Sequence, residues 1–276
     1  MKPPEPILVT DLFPEILDEL LVLLASLTPE EWESPTVAEG WSVRDVALHL
    51  LGGDVGILSR QRDGYAPPGP PIASWDELVA FINHLNDTWL QAARRISPRL
   101  LVALLRFTGE QVSDHFRSRD PHALGGAVSW AGPEPAPVWL DLAREYTERW
   151  HHQQHIRAAV GKPGLTEPRY LAPVLDAFVR ALPHTFRNVP AGDGTLVALT
   201  ITGDAGGRWF LLRQKDKWTL YLDVAQPPDA ETILPQEVAW RLFTKGISKS
   251  EAQAEAILIG DSSLALKLLD TVSIIA

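Results

Sequence analysis

The sequence predicts a multi-domain protein of the α and α+β class, with a four-helix bundle over residues 1–166 and a smaller α+β domain over residues 167–276. Three observations predict this fold class. The first ~160 residues carry apolar residues at helical spacing, separated by loops rich in proline and glycine. Three later segments alternate apolar and polar residues, as strands do. The hydrophobic content of 45% and the charged content of 22% are typical of a soluble globular protein.

Helical patterns follow one another along the first part of the chain. The predicted helical stretches are Asp11–Leu27, Ser42–Gly64, Trp75–Arg95, Leu100–Ser118 and Val138–Val160. The segments "YAPPGPPIAS" and "DPHALGGAVSWAGPEPAP" are predicted to be loops from their composition. Four main helices among these five stretches, joined by long connections, indicate an antiparallel bundle, so we expect no sheet before residue 160.

The second part of the chain changes character after one further helix, predicted over Arg169–Phe186. The segments "TLVALTITG", "GRWFLLRQ" and "KWTLYLDV" are separated by "DAGG" and "KD" turns, which predicts an antiparallel meander. The segments "PQEVAWRLFTKG" and "DSSLALKLLD" predict short helices, with "EAILIG" as a strand between them.

Composition narrows the possible chemistry. The chain has no cysteine, so a protein thiol cannot act as nucleophile and a metal must be held by His, Asp or Glu. The net charge of −10 argues against a nucleic-acid partner, which needs a basic surface. No apolar run approaches the roughly 20 residues that span a bilayer, and the N-terminus lacks the pattern of a signal peptide. A cytoplasmic location is therefore expected.

The stretch "EYTERWHHQQHIRAAVG" places three of the eight histidines within five residues. On a helical wheel, Glu148 and His152 border the apolar stripe, whereas His151 and His155 lie near the opposite face, which should be solvent. Both pairs have the i,i+4 spacing that allows chelation. The Glu148/His152 pair is favoured because it borders the interior, where other helices can add ligands.

A third ligand must come from another helix, and His49 in "GWSVRDVALHLLGGD" is the candidate. Gly52, Gly53 and Gly56 lie on the same side of that helix and leave room either for a ligand or for tight helix packing. The alternative for His49 is a hydrogen-bonded structural residue. Asp45 has two interpretations as well: it caps the helix that begins after Ser42, or it accepts a hydrogen bond from the His49 ring.

"GWSVRDVALHL" together with "EYTERWHHQQHIRAAVGKP" resembles the DinB-like metal-binding superfamily and, more closely, the mycothiol-dependent maleylpyruvate isomerase family. The family motif E-x-W-x-H is matched by Glu148, Trp150 and His152. The chain from Thr195 onward resembles the family's sterol-carrier-like C-terminal domain. The resemblance implies a metal bound by His49, Glu148 and His152, with His151 and His155 outside the ligand set.

Two imidazoles and one carboxylate with an open position are typical of a catalytic zinc site, although nickel, cobalt and iron accept the same ligands. The resemblance implies a low-molecular-weight thiol, mycothiol or a similar compound, as cosubstrate. Its sulfur would support isomerisation or S-transfer on a small electrophilic substrate, since a metal lowers the pKa of a bound thiol.

Three further residues are candidates for binding the cosubstrate. Trp41 and Trp150 flank the ligand motifs and either line the pocket or pack in the core, and Arg157 either binds a carboxylate or forms a surface salt bridge. Two other functions remain open: a metal-dependent hydrolase, and a non-catalytic metal- or lipid-binding protein. The sequence carries no signal for the oligomeric state.

Overall fold

The computed structural model describes residues 1–65 and 67–274. The chain forms two compact units. The bundle unit contains Val9–Asp120 and Glu145–Leu165. The sheet unit contains Met1–Leu8, Pro121–Arg144 and, among the described residues, 166–274. The division into domains 1–166 and 167–276 stays a prediction.

The bundle unit is built from helices packed around one apolar core. Its elements are α1 (Leu12–Ala25), α2 (Pro29–Trp32), α3 (Val43–Ile57) with a π-helical extension (Leu58–Arg62), α4 (Trp75–Ala93), α5 (Pro98–Arg117) and the part of α6 (Val138–Ala159) from Glu145 onward. The predicted start of α3 is confirmed, because Ser42 and Asp45 form a reciprocal capping box.

The contact between α3 and α4 explains one of the glycines beside His49. The Trp89 indole on α4 donates a hydrogen bond of 2.7 Å to the carbonyl of Leu48 on α3. A Cβ atom on Gly52 would lie only 2.7 Å from the same indole nitrogen. Gly52 therefore allows close helix packing, which is the second of the two interpretations drawn from the sequence.

The sheet unit contains a five-stranded mixed sheet in the order β5-β4-β3-β6-β7. Its strands are β3 (Leu196–Thr202), β4 (Gly207–Gln214), β5 (Lys217–Tyr221), β6 (Ala230–Pro235) and β7 (Ile257–Gly260). Its helices beyond the first turns of α6 are α7 (Pro168–Val179), α8 (Leu182–Thr185), α9 (Gln236–Phe243), α10 (Lys249–Glu255) and α11 (Ser262–Leu268). The antiparallel meander β3-β4-β5 and the strand β7 are confirmed.

The expectation that no sheet precedes residue 160 is wrong. Two short strands, β1 (Leu124–Ala127) and β2 (Pro135–Pro137), pair antiparallel inside the segment predicted to be a loop. Their glycines and prolines have low strand propensity, so local pattern gave no signal. Hydrogen bonds from Val138 to Ala123 and from Trp139 to Pro121 hold the ends of this segment together.

A second difference lies in the large sheet. Strand β6 pairs parallel to β3, with Ala198 opposite Glu231 in register. A parallel partner that lies about 33 residues away leaves no turn signal in the sequence, unlike the tight turns of the meander.

The described residues thus form a protein of mixed α and α+β structure, as predicted, and they contain two sheets. The specific arrangement, a four-helix bundle followed by a sterol-carrier-like domain, stays a prediction. Within the described residues, no helix is both long and apolar enough to cross a membrane.

Candidate metal centre

Three predicted ligands converge in the bundle unit. His49 Nε2 lies 3.1 Å from Glu148 Oε1, and His152 Nε2 lies 3.0 Å from the same oxygen. One ligand atom from each residue falls within 4.8 Å of the others. Two imidazole nitrogens directed at one carboxylate oxygen form a compact donor set, and this set fits a divalent transition metal.

The positions of the ligands follow from the helices that carry them. His49 projects from α3, while Glu148 and His152 lie one turn apart on α6 and therefore share a face. The side chains of His49 and His152 are 17% and 13% exposed, whereas that of Glu148 is 38% exposed. The two imidazole rings are thus largely covered by neighbouring residues, while the carboxylate is more accessible to solvent.

Electrostatics keep the carboxylate ionised. Burial raises the pKa of Glu148, but the charges and hydrogen bonds of His152 and His49 outweigh it and hold the pKa well below 4.5. Glu148 is consequently an anion at neutral pH, the protonation state that a metal ligand requires.

Trp41 packs against the imidazole rings of both candidate ligands. Its ring centroid lies 5.0 Å from that of His49 and 6.4 Å from that of His152, and the second pair is stacked with an interplanar angle of 23°. The predicted position of Trp41 beside the ligand motifs therefore corresponds to aromatic packing against two of the candidate ligands.

The predicted solvent exposure of His151 and His155 is wrong. His151 is 6% exposed and His155 is 9% exposed, and their rings lie 4.2 Å apart. The reason is that α6 is buried on more than its apolar stripe: Gln153, for example, donates a hydrogen bond to the carbonyl of Ile16 on α1. A helix surrounded by neighbours buries polar faces too, so a wheel that equates polar with exposed fails here.

These buried histidines make stability depend on pH. Burial, assisted by the charges of His152 and His49, lowers the pKa of His155 from 6.5 to about 3, while burial also holds the pKa of His151 well below 6.5. Below pH 6.5 these histidines bind protons in the unfolded chain but stay neutral in the folded chain. The free energy of unfolding therefore falls as pH falls from 6.5 toward 3. The free energy of unfolding of the metal-free chain, measured in urea, should fall by roughly 1–2 kcal/mol per buried histidine between about pH 6.5 and 5.

Replacement of His155 by glutamine should flatten this pH dependence, because the amide side chain does not titrate in this range. The exposed His84 on α4 provides the matched control, and His84→Gln should leave the slope unchanged. Equal slopes in native and His155→Gln chains would contradict the assignment of the effect to His155.

Comparison with known protein families identifies the family of the chain that carries this centre. The model of the mycothiol maleylpyruvate isomerase N-terminal domain matches residues 13–157, which is more than half of the chain. The chain belongs to the mycothiol maleylpyruvate isomerase family. The resemblance found in the two sequence motifs is thereby confirmed, and all three candidate ligands lie inside the matched segment.

Two solved structures of mycothiol-dependent maleylpyruvate isomerase share the fold. One is a mutant with a histidine replaced by alanine; it has 10% sequence identity and a TM-score of 0.53, and the match covers 92% of each chain. The other has 12% identity and a TM-score of 0.51, and the match covers 84% of this chain and 86% of that one. No curated protein matches the chain by sequence.

Asp45 and Trp150 were also candidate functional residues in the sequence of this family member, and the structure shows a structural contact for each. Asp45 caps α3 and forms an ion pair of 2.8 Å with Arg94, which favours the capping interpretation. Trp150 is fully buried and donates to the Leu165 carbonyl, so its contacts are those of a core residue.

Arg157 is not on the surface, as the salt-bridge interpretation expected, but only 8% exposed. Its guanidinium donates to Glu19, Gln153 and the carbonyl of Pro163. The binding of the cosubstrate by Trp150 and Arg157 stays a prediction.

Sequence reasoning missed a buried ion network that joins the two ligand helices. Arg149, the neighbour of Glu148, donates to Asp54 on α3 at 2.8 Å and to Glu145 at 2.7 Å. Thr108 on α5 donates to the second oxygen of Asp54 at 2.8 Å. An arginine beside a predicted ligand and an aspartate five residues after His49 were the only signals in the sequence, and neither carries a motif.

Proposed function

We propose that the chain is a metal-dependent enzyme that uses a low-molecular-weight thiol, mycothiol or a close analogue, to isomerise a small electrophilic substrate. The convergence of His49, Glu148 and His152 is the observation that carries this proposal. Family membership supports the thiol and the reaction type, since the two solved structures with this fold are named as mycothiol-dependent isomerases.

The donor set supports zinc as the ion, held by His49, Glu148 and His152. Within the described residues, this group of candidate ligands has three members, which leaves a coordination position for an exogenous molecule. Nickel, cobalt and iron accept the same ligands and are alternatives to zinc. A bound divalent ion supplies Lewis acidity, which lowers the pKa of a coordinated thiol.

The residues around the centre have distinct tasks. Glu148 stays ionised and balances positive charge at the open side of the site. Trp41 packs beside the imidazole rings and restricts their orientation. Because the chain has no cysteine, the sulfur must come from the cosubstrate.

The sulfur can act as a reversible nucleophile. It forms a C–S bond to a conjugated double bond, and the π electrons move onto the adjoining carbonyl. The former double bond is then single and rotates. Return of the electrons re-forms the double bond in the trans geometry and breaks the C–S bond, so the thiol is regenerated and no oxidant is needed. If a leaving group departs instead, the same sulfur gives S-transfer.

An assay of the full chain with maleylpyruvate tests this proposal. Turnover is expected only when zinc and mycothiol are both present, because neither the protein nor the ion supplies a sulfur. Conversion can be followed by the absorbance of the conjugated acid, with His49→Ala as the inactive variant and His84→Gln as the control.

Three results would overturn the proposal. Turnover with mycothiol alone in chelator-treated protein would remove the metal from the reaction. Turnover of an ester or amide with metal and no thiol would identify a hydrolase instead. Binding of zinc without turnover of any electrophile in a panel would leave a non-catalytic binding protein.

A further inference from the structure

Two buried ring nitrogens beside the metal centre have no hydrogen-bond partner among the described residues. One is Nδ1 of His152, the outer nitrogen of a candidate ligand, and the other is Nδ1 of His155, one turn further along α6. Both atoms are sealed from solvent. Because buried polar atoms in folded proteins nearly always have a partner, two such atoms on neighbouring rings are candidates to pair with each other.

The contacts of His152 determine where its ring proton lies. Nε2 is 3.0 Å from Oε1 of Glu148, which is ionised and accepts a hydrogen bond, so a neutral His152 ring carries its proton on Nε2. If Nε2 binds an ion instead, the proton must lie on Nδ1. A buried N–H donor is then created, and it needs an acceptor. Histidines that ligate metals almost always give this second N–H to such an acceptor, which fixes the orientation of the ring.

The ring of His155 is placed to supply that acceptor. Residues three apart on a helix are neighbours on its surface, whereas consecutive residues such as His151 and His152 diverge. The centroids of the His152 and His155 rings are 5.3 Å apart, and the rings are nearly perpendicular, at 84°. This separation is within reach of a hydrogen bond between two ring nitrogens that lie about 3 Å apart.

His155 is also in the protonation state that an acceptor requires. Burial, followed by the charge of His152, lowers the pKa of His155 to about 3, so the ring is neutral at neutral pH. A neutral imidazole has one donor nitrogen and one acceptor nitrogen. Of the two nitrogens of His155, only Nδ1 is both sealed and without a partner, so the proton belongs on Nε2 and the lone pair on Nδ1.

We infer that His155 is a positioning residue of the metal centre: its Nδ1 accepts a hydrogen bond from Nδ1–H of His152 when Nε2 of His152 binds the ion. The inference rests on the proposed function, because the His152 proton moves to Nδ1 only if Nε2 is a ligand. His155 stays outside the ligand set. Its task is to hold the His152 ring in one orientation and one tautomer, with the lone pair of Nε2 available beside Glu148.

The zinc affinity of the full chain, measured by competition with a chromogenic chelator, tests this role with two replacements of His155. His155→Leu has no acceptor and should bind zinc about tenfold more weakly, at the lower end of the roughly 10–100-fold loss usual for a residue that supports a ligand. The ion then still binds at stoichiometric concentrations. His155→Asn places an amide oxygen near the position of Nδ1 and should restore the affinity to within about threefold of the native value. His151→Leu makes the same change at the other buried histidine and should keep the native affinity.

NMR of the zinc-loaded chain with ¹⁵N-labelled histidine gives a signature that depends on neither affinity nor activity. In the native chain the Nδ1–H proton of His152 should be shifted downfield by its hydrogen bond. The shift should be lost in His155→Leu and kept in His155→Asn, because only the second variant offers an acceptor.

Three outcomes would overturn the inference. Equal weakening in His155→Asn and His155→Leu would mean that packing, and not the acceptor, supports the centre. Equal weakening in His151→Leu would remove the specific role of His155. Native zinc affinity in His155→Leu, with an unchanged Nδ1–H resonance of His152, would overturn this inference alone, whereas a native chain that binds no zinc would overturn the metal centre of the proposed function as well.

Discussion

His152→Ala should lose its bound divalent ion, with an affinity reduced by about 100-fold or more, since even loss of a residue that merely supports a ligand costs roughly 10–100-fold. The geometry gives the reason. His152 Nε2 lies 3.0 Å from the carboxylate oxygen that His49 also approaches, so its removal would leave two candidate ligands, on different helices. Metal analysis after gel filtration and a competition titration with a chromogenic chelator measure the effect.

His155→Ala is the matched control, since it makes the same change one turn further along α6. It should retain the ion, because His155 is not among the three residues whose ligand atoms converge. Circular dichroism must show that both variants are folded, since His155 is buried and its loss leaves a cavity. Equal metal loss in the two variants would mean that the other histidine pair takes part in binding.

Arg149→Met should lower the free energy of unfolding by about 3–5 kcal/mol, because it leaves the buried Asp54 carboxylate without the cation that pairs with it. Asp54 and Glu145 are 4% and 7% exposed, and Arg149 is the cation that binds both. The guanidinium also lies 5.7 Å from the ring centroids of Phe13 and Phe116, so cation–π contacts are lost as well. Urea unfolding at neutral pH measures the change.

Arg117→Met is the control for this prediction. Its ion pair with Asp114 also lies in the bundle unit, but the two side chains are 52% and 78% exposed. Such a pair contributes about 0–1 kcal/mol. A loss of less than 1 kcal/mol in Arg149→Met as well would contradict the view that the buried network stabilises the bundle.

The loss in free energy of unfolding caused by Arg149→Met should also depend on pH. Burial already raises the pKa of Asp54, and the charge of Arg149 is the largest influence in the opposite direction. Without that charge the folded carboxyl binds a proton more readily than the unfolded one, which has a pKa of about 3.9. The folded variant therefore gains protons relative to the unfolded chain as pH falls, and the deficit should shrink toward about pH 4.

The buried ion network also links the two helices that carry the candidate metal ligands. Arg149 follows Glu148 on α6, and Asp54 lies on α3, the helix that carries His49. The ion pair of 2.8 Å between them fixes the position of one ligand helix against the other. We expect the affinity for the ion to fall in Arg149→Met even under conditions where the variant is fully folded, a result that a stabilising role alone would not produce.

The sequence by itself determined the features that depend on local pattern. Ser42 and Asp45 marked the start of α3 because a capping box is made by residues three apart. The spacing of Glu148 and His152 placed both on one face of α6, and alternation with tight turns identified the meander β3-β4-β5. The two motifs that bring His49 together with that pair were sufficient to recognise the family.

Only the tertiary structure decided the features that depend on distant neighbours. His151 and His155 are polar residues opposite an apolar stripe, yet packing around α6 buries them. Strand β6 found a parallel partner, and a glycine- and proline-rich loop formed a small sheet, without a local signal for either. The pairing of Arg149 with Asp54 joins residues 95 positions apart. Helical and strand periods report which side of an element is apolar, whereas burial of a polar side is decided by partners that the rest of the chain supplies.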